Sequence, residues 1–201
     1  MRILYVLSEH DGGLTDERLA AYEADRSRIA ALAGCPVESI AYEAADRLDA
    51  DALVLSGSTD PWAAHDPAAL DRHLALLRSF DGPVLGICAG MQNLVRSLGG
   101  TIGTSARPSH GFAPVDVVDS NGLLVRCCAS FEVRKRHDHE VKRLPPDFTL
   151  LATSTTCRIE AIAARDRPWW GTQFHPEAWD DVHPAGRLVL ERFLELAGVL
   201  G

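Results

Sequence analysis

The chain has 201 residues, of which 46% are hydrophobic and 24% are charged, and its formal net charge is −8. The length and composition fit a globular chain with a sizeable core, so we predict a single domain over residues 1–201. The acidic balance argues against a nucleic-acid surface. Five cysteines without C-x-x-C spacing favour a reducing cytoplasm over a disulfide framework or a zinc ribbon. No apolar run approaches the roughly eighteen residues of a membrane span, and we expect no signal peptide.

The first half of the chain alternates between strand-like and helix-like patterns, which is typical of a parallel sheet with helices on its faces. The predicted elements are a buried strand Ile3–Leu7, an amphipathic helix Thr15–Ala33 closed by Gly34, a strand Ala52–Leu55 ending at Gly57, and a helix that opens at Asp66-Pro67. Ligands of such sheets collect beyond the carboxyl ends of the strands. We therefore expect a crevice next to Gly57.

The next strand end carries a cysteine between two glycines. The apolar run Pro83–Leu85 leads into Gly86-Ile87-Cys88-Ala89-Gly90, and a helix-like segment follows. A sharp turn from strand to helix exposes the residue at its tip and favours glycine at the crowded flanking positions. Backbone N–H groups at the helix start can stabilise a thiolate or an oxyanion. The pattern is typical of a nucleophile elbow, although a buried structural cysteine would also fit it.

The remainder of the chain shows shorter β-like runs before a last helix. They lie at Val115–Val118, Phe131–Val133, Thr149–Ala152 and Ile159–Ala163. These runs predict a partly antiparallel extension, after which Trp170–Phe174 returns to the crevice. The last helix is expected to open near His183-Pro184 and to end at Gly198.

A histidine and a glutamate follow the returning strand as His175-Pro176-Glu177. A cysteine nucleophile needs a histidine to accept and return its proton, and the histidine needs a third group that orients its ring. In an extended segment, residues two apart point to the same side, and Pro176 stiffens the backbone between them. We predict that Cys88, His175 and Glu177 act together.

Together these motifs resemble the class I glutamine amidotransferase family almost from end to end. The resemblance is carried by Gly86–Gln92, by Gln173–Glu177 and by a segment from His137 through Leu144-Pro145 to Ser154, which is similar to the amidotransferase part of guanylate synthetases. It implies an α/β fold with an open, mostly parallel, flavodoxin-like sheet, helices on both faces and a partly antiparallel β extension. It also implies hydrolysis of the glutamine side-chain amide without a cofactor.

The resemblance further implies a role for each site residue. Cys88 would attack the amide, while His175 and Glu177 would transfer and orient the proton. Backbone N–H groups would form the oxyanion hole, and a second set of residues would contact the substrate. The oxyanion-hole candidates are Gly57, Ser58 and Ala89, and the substrate-binding candidates are Gln92, His137, Asp138 and His139.

Two departures from the family pattern bear on substrate fit. Family members usually carry an aspartate where this chain has His139, and many have Gly-Gly-Pro where the loop after the second predicted strand leads to Trp62. His137 and His139, with Cys127, Cys128 and Glu132 near them in sequence, also suggest a metal site, but no third ligand has a diagnostic spacing. We therefore expect no metal.

Three classes of function remain open. The first is an amidotransferase subunit, which would pass ammonia to an ATP-dependent synthetase or ligase, because the chain has no phosphate-binding loop of its own. The basic rim Arg134–Arg143 is the predicted docking surface for that partner. The second is a stand-alone hydrolase of γ-glutamyl or other amides, and the third is a non-catalytic regulatory module.

Overall fold

The computed structural model describes residues 1–120 and 122–200. The predicted strands and helices of the first half are confirmed to within about two residues, and the short strand β2 was not predicted. The elements are β1 (Ile3–Leu7), α1 (Asp16–Ala33), β2 (Val37–Ala41), β3 (Ala52–Leu55), α2 (Pro67–Ser79), β4 (Val84–Ile87), α3 (Ala89–Ser97), β5 (Thr101–Val117), β6 (Ser130–Arg143), β7 (Phe148–Thr153), β8 (Ala161–Ala164), β9 (Trp169–Thr172) and α4 (Ala185–Leu196). Across the described residues, we find no helix with the length and apolar character needed to span a membrane.

One nine-stranded sheet runs through the molecule in the order β2-β1-β3-β4-β9-β8-β7-β5-β6. The strands from β2 to β9 pair in parallel, in a doubly wound, flavodoxin-like order. From β9 to β6 the strands pair antiparallel. The α/β class is therefore confirmed, but the sheet is mostly parallel only over its first half, since the antiparallel extension is larger than predicted.

The helices cover both faces of the parallel half, as predicted. Tyr5 and Ile87 point to a core that includes Phe193 of α4 and Ile29 of α1. Leu53 and its neighbours point to the opposite core, which is closed by α2 and α3. Strands that are buried on both faces carry continuous apolar runs, which is why β1 and β3 are recognisable from sequence.

The predicted helix caps form in α1 and α2. The Thr15 hydroxyl accepts the Arg18 N–H, Asp66 caps α2 by accepting from Ala68, and Gly34 ends α1 in the left-handed region with φ 64°. The interpretation of α1 as an amphipathic helix needs correction. Only Ile29 and Ala33 of this helix are buried, because α1 lies over the sheet near one end and leaves most of its side chains in solvent.

A long hairpin of β5 and β6 forms the far edge of the sheet and exceeds the runs predicted from sequence. Side chains of β6 alternate, so that Val133, Lys135 and His137 are buried. The Lys135 ammonium lies 2.5 Å from a carboxylate oxygen of Glu160. Lys135 therefore belongs to the interior, and the part of the docking prediction that placed it on a basic rim is wrong.

Candidate active site

Cys88 stands at the turn between β4 and α3. Its backbone has φ 51° and ψ −105°, and among the described residues it is the one non-glycine residue with positive φ. A Cβ atom on Gly86 would lie 2.6 Å from the Gly90 carbonyl carbon, and one on Gly90 would lie 2.5 Å from the Leu55 carbonyl oxygen. Helix α3 can begin this close to β3 only because both flanking residues are glycines.

His175 and Glu177 lie in the segment that follows β9. The His175 N–H donates to the Arg134 carbonyl at 2.8 Å, which attaches this segment to β6. Its ring Nδ1 lies 2.6 Å from Glu177 Oε1, and the glutamate side chain is buried. Arg28 of α1 donates to the Glu177 carbonyl at 3.0 Å. The imidazole is thus held by a carboxylate on the side away from Cys88.

The structure brings the His175 ring to Cys88 through a side-chain hydrogen bond. His175 Nε2 and Cys88 Sγ face the same backbone carbonyl of Arg136, at 3.4 and 3.8 Å. Burial alone would lower the pKa of His175. The Glu177 charge and the hydrogen bonds from Cys88 and Glu177 outweigh burial and raise this pKa well above its usual value. The histidine is therefore held in its cationic form beside the thiol.

The three oxyanion-hole candidates surround the same point. A Cβ atom on Gly57 would lie 2.8 Å from His175 Cε1 and 3.6 Å from Cys88 Cβ, so this loop passes directly over the cysteine. Ala89 is the first residue of α3, and its N–H has no acceptor within the helix. The position of Ser58 is fixed by its hydroxyl, which donates to Glu9 Oε1 at 2.9 Å.

Glu9 is a buried carboxylate that sequence reasoning missed. It follows β1, and its Oε2 accepts both the backbone N–H of Thr59 at 2.7 Å and the Thr59 hydroxyl at 2.6 Å. Burial would raise the pKa of Glu9, but the hydrogen bonds from Thr59 and Ser58 prevail and lower it. An ionised Glu9 therefore fixes the loop that passes over Cys88. An acidic residue directly after a buried strand was the one signal available for it.

A cavity of about 420 Å³ opens in front of Cys88. The four substrate-binding candidates all line it, together with Trp62 and Ser58. Gln92 is buried, and its amide is held on both sides: Oε1 accepts from Trp62 Nε1 at 2.8 Å, and Nε2 donates to the His139 carbonyl at 2.9 Å. The backbone of His139, rather than its ring, thus makes this contact. Asp138 is exposed at the rim, 3.5 Å from His110.

His137 is buried under this cavity in a second cluster. Its ligand-type nitrogen atoms, Cys157 Sγ and Glu160 lie within 4.8 Å of one another. Burial, with the Lys135 charge as a smaller contribution, lowers the pKa of His137 to about 4, so the ring is neutral. The Lys135 ammonium already compensates Glu160 in this cluster. The grouping of His137 with His139, Cys127, Cys128 and Glu132 that the sequence suggested is not formed within the described parts of the chain.

A second cavity, of about 340 Å³, lies on the other side of His175. It is lined by Tyr22 and Asp25 of α1, by Glu177 and by Arg136, which also borders the first cavity. Burial and then the Glu177 charge raise the pKa of Asp25 from 3.8 to about 7. The pair of His175 and Glu177 therefore separates one cavity that contains the thiol from another that contains this carboxyl group.

A strained cysteine that is hydrogen-bonded to a histidine, which in turn is oriented by a glutamate, is the arrangement of enzymes that use a cysteine nucleophile on carbonyl substrates. The family model of class-I glutamine amidotransferase matches residues 25–196. The chain belongs to this family.

Proteins named as the glutamine-hydrolysing subunit of GMP synthase are among its relatives. The protein from Natronomonas pharaonis is 38% identical over 154 residues, which is 75% of this chain and 78% of that protein. The protein from Pyrococcus furiosus is 36% identical over 60% of this chain and 63% of its own length. A solved structure from Thermoplasma acidophilum, provisionally assigned as a GMP synthase subunit, has a TM-score of 0.81 at 26% identity and covers 98% of this chain and 94% of that chain.

Proposed function

We propose that this chain is the glutamine-hydrolysing subunit of a two-subunit GMP synthase, with Cys88 as its nucleophile. The observation that carries the proposal is the contact of the strained Cys88 thiol with a His175 ring that Glu177 holds in its cationic form. The relatives that are named as this subunit of GMP synthase support the choice of acceptor.

The geometry suggests how the reaction proceeds. Cys88 Sγ attacks the side-chain carbonyl carbon of glutamine, and the oxyanion that forms is met by backbone N–H groups of Ala89 and of the Gly57–Ser58 loop. His175 donates a proton to the nitrogen that leaves, so that ammonia and a γ-glutamyl thioester result. The same histidine then takes a proton from water as it attacks the thioester, which releases glutamate and restores the thiol.

A separate synthetase subunit would consume the ammonia. The chain has no glycine-rich phosphate loop, so we propose that the partner activates the acceptor with ATP. The docking surface would lie on the hairpin of β5 and β6 near the mouths of both cavities. Arg134 and Arg136 are exposed there on β6.

The first test is covalent capture by a glutamine-mimicking diazoketone, read as the mass of the intact protein. We expect a single adduct on Cys88 that excess glutamine prevents, and no adduct on Cys88→Ala. Ammonia release from glutamine should rise when the synthetase subunit of the same organism is added. A Cys88→Ala protein that still releases ammonia from glutamine would contradict the proposal.

The second candidate function is a stand-alone hydrolase of other γ-glutamyl amides. It is favoured by the cavity wall, where His139 stands in place of the usual aspartate and Trp62 contacts Gln92. Both changes alter the site that would hold the amino-acid end of glutamine, while the group of Cys88, His175 and Glu177 stays intact. Cleavage of γ-glutamyl conjugates without cleavage of glutamine would decide for this candidate.

A further inference from the structure

A line of hydrogen bonds leads from the rim of the first cavity to the sulfur of Cys88. Trp62 Nε1 donates to Gln92 Oε1 at 2.8 Å, Gln92 Nε2 donates to Gln173 Oε1 at 3.1 Å, and Gln173 Nε2 donates to Cys88 Sγ at 3.4 Å. Gln92 and Gln173 are buried. In such a place, hydrogen bonds are strong and unmatched polar atoms are costly.

The direction of this line is determined by its fixed ends. An indole N–H can only donate, so Gln92 must present its oxygen to Trp62. The backbone carbonyl of His139 can only accept, so Gln92 must present its nitrogen there, 2.9 Å away. The second hydrogen of that nitrogen then goes to Gln173 Oε1, and the nitrogen of Gln173 has to face the sulfur.

We propose that Trp62, Gln92 and Gln173 form a polarised hydrogen-bond relay that presents an N–H donor to Cys88 and stabilises its thiolate. Gln173 acts directly on the reacting atom, whereas Trp62 is a positioning residue that acts through Gln92. An N–H donor stabilises a thiolate more than a thiol, and so it raises the fraction of reactive sulfur at neutral pH. Trp62 belongs to the loop in which this chain departs from its family, so the relay is specific to chains that carry an indole here.

The test is the pH dependence of Cys88 alkylation by iodoacetamide, followed by intact mass and by the mass of the Cys88 peptide. Gln173→Met removes the donor, and Gln173→Glu replaces it by an oxygen of nearly the same shape. We expect alkylation at pH 7 to slow about tenfold in Gln173→Met and further in Gln173→Glu, with recovery at high pH. A merely structural role of Gln173 would not produce this order, since the glutamate is the closer match in shape.

Trp62→Phe tests the far end of the relay. It keeps a ring between Arg96 and His65 but loses the N–H. We expect a smaller slowing, about twofold to threefold, because the His139 carbonyl still orients Gln92. Trp170→Phe is the matched control, since Trp170 packs edge-on against Phe193 in the other core, and its alkylation profile should equal that of the wild type.

The charged groups that face Cys88 are His175, backed by Glu177, and the Arg136 segment of β6, and every variant retains them. Coincident profiles for wild type and Gln173→Glu would overturn the relay. Should the buried Gln173 variants fail to fold, a Trp62→Phe profile equal to that of the wild type would overturn it instead. The inference rests on Cys88 as the nucleophile, but alkylation needs no glutamine turnover. A wild-type protein that fails to hydrolyse glutamine therefore contradicts the proposed function alone.

Discussion

The backbone strain at Cys88 yields a stability prediction that runs against the usual rule for glycine. Cys88→Ala and Cys88→Gly both remove the thiol, so the difference between them isolates the Cβ atom at φ 51° and ψ −105°. A non-glycine residue in such a region costs about 1–3 kcal/mol, and glycine avoids that cost. Against this, glycine loses about 0.5–1 kcal/mol through chain entropy and roughly 0.8 kcal/mol through the missing buried methyl group.

We therefore expect Cys88→Gly to be at least as stable as Cys88→Ala in urea unfolding monitored by circular dichroism. At an unstrained buried position the same exchange should lose roughly 1.5 kcal/mol, and Ala69→Gly in α2, where Ala69 is 2% exposed, is the control. In a chain of this size, that loss lowers the melting temperature by about 3–6 °C. If Cys88→Gly is less stable than Cys88→Ala by as much as the control loses, the turn carries no strain.

Three further predictions concern buried charges. Glu177→Gln should lower the rate of glutamine hydrolysis by about 10³–10⁴, because the amide neither fixes the His175 ring nor stabilises its cation, and a loss below tenfold in the ammonia assay would contradict this. Lys135→Met should lower the free energy of unfolding by about 3–5 kcal/mol, since it leaves Glu160 unpaired, and adding Glu160→Gln should restore most of it; an additive loss would refute the pairing. The raised pKa of Asp25 means that the folded state keeps a proton which the unfolded state releases, so wild-type stability falls as pH rises from about 4 through about 7, and Asp25→Asn should gain stability relative to wild type over that window; parallel unfolding curves would contradict it.

The elements that sequence reasoning found are those with local signals. Strands β1 and β3 are short apolar runs buried on both faces, and α1 and α2 begin at Thr15 and Asp66, which cap them. The turn at Cys88 was predictable because its glycines are required by contacts within a few residues of the chain and with β3. Each of these signals survives folding because tertiary contacts reinforce it.

The elements that were missed depend on distant partners. Strand β2 has only Val37 buried, so its sequence shows no apolar run. Strand β5 contains Pro108 and Gly111, which lower its strand propensity, but it pairs with β6 along most of its length, with a register shift between Thr104 and Ser109. The buried face of β6 includes a lysine, and Lys135 is found there only because Glu160 on another segment meets it.

The same division holds in the site. Cys88, His175 and Glu177 were predicted from motifs, and the structure brings them together. Glu9 and Gln173 were not assigned any role, although Gln173 lies within a motif that was singled out. Their importance comes from what they touch, namely the Thr59 loop and the Cys88 sulfur, and no spacing along the chain encodes those contacts.

The topology also explains why departures from the family pattern alter substrate fit rather than chemistry. Glu9, Gly57, Cys88 and His175 follow β1, β3, β4 and β9, which are the parallel strands whose carboxyl ends meet at one edge of the sheet. The wall of the first cavity is supplied instead by the antiparallel strand β6, from which His139 contributes its carbonyl. Side chains on β6 can change without moving the ends of the parallel strands. A change of substrate within this fold is therefore expected to arise in β6 and in the Trp62 loop while the cysteine, histidine and glutamate remain.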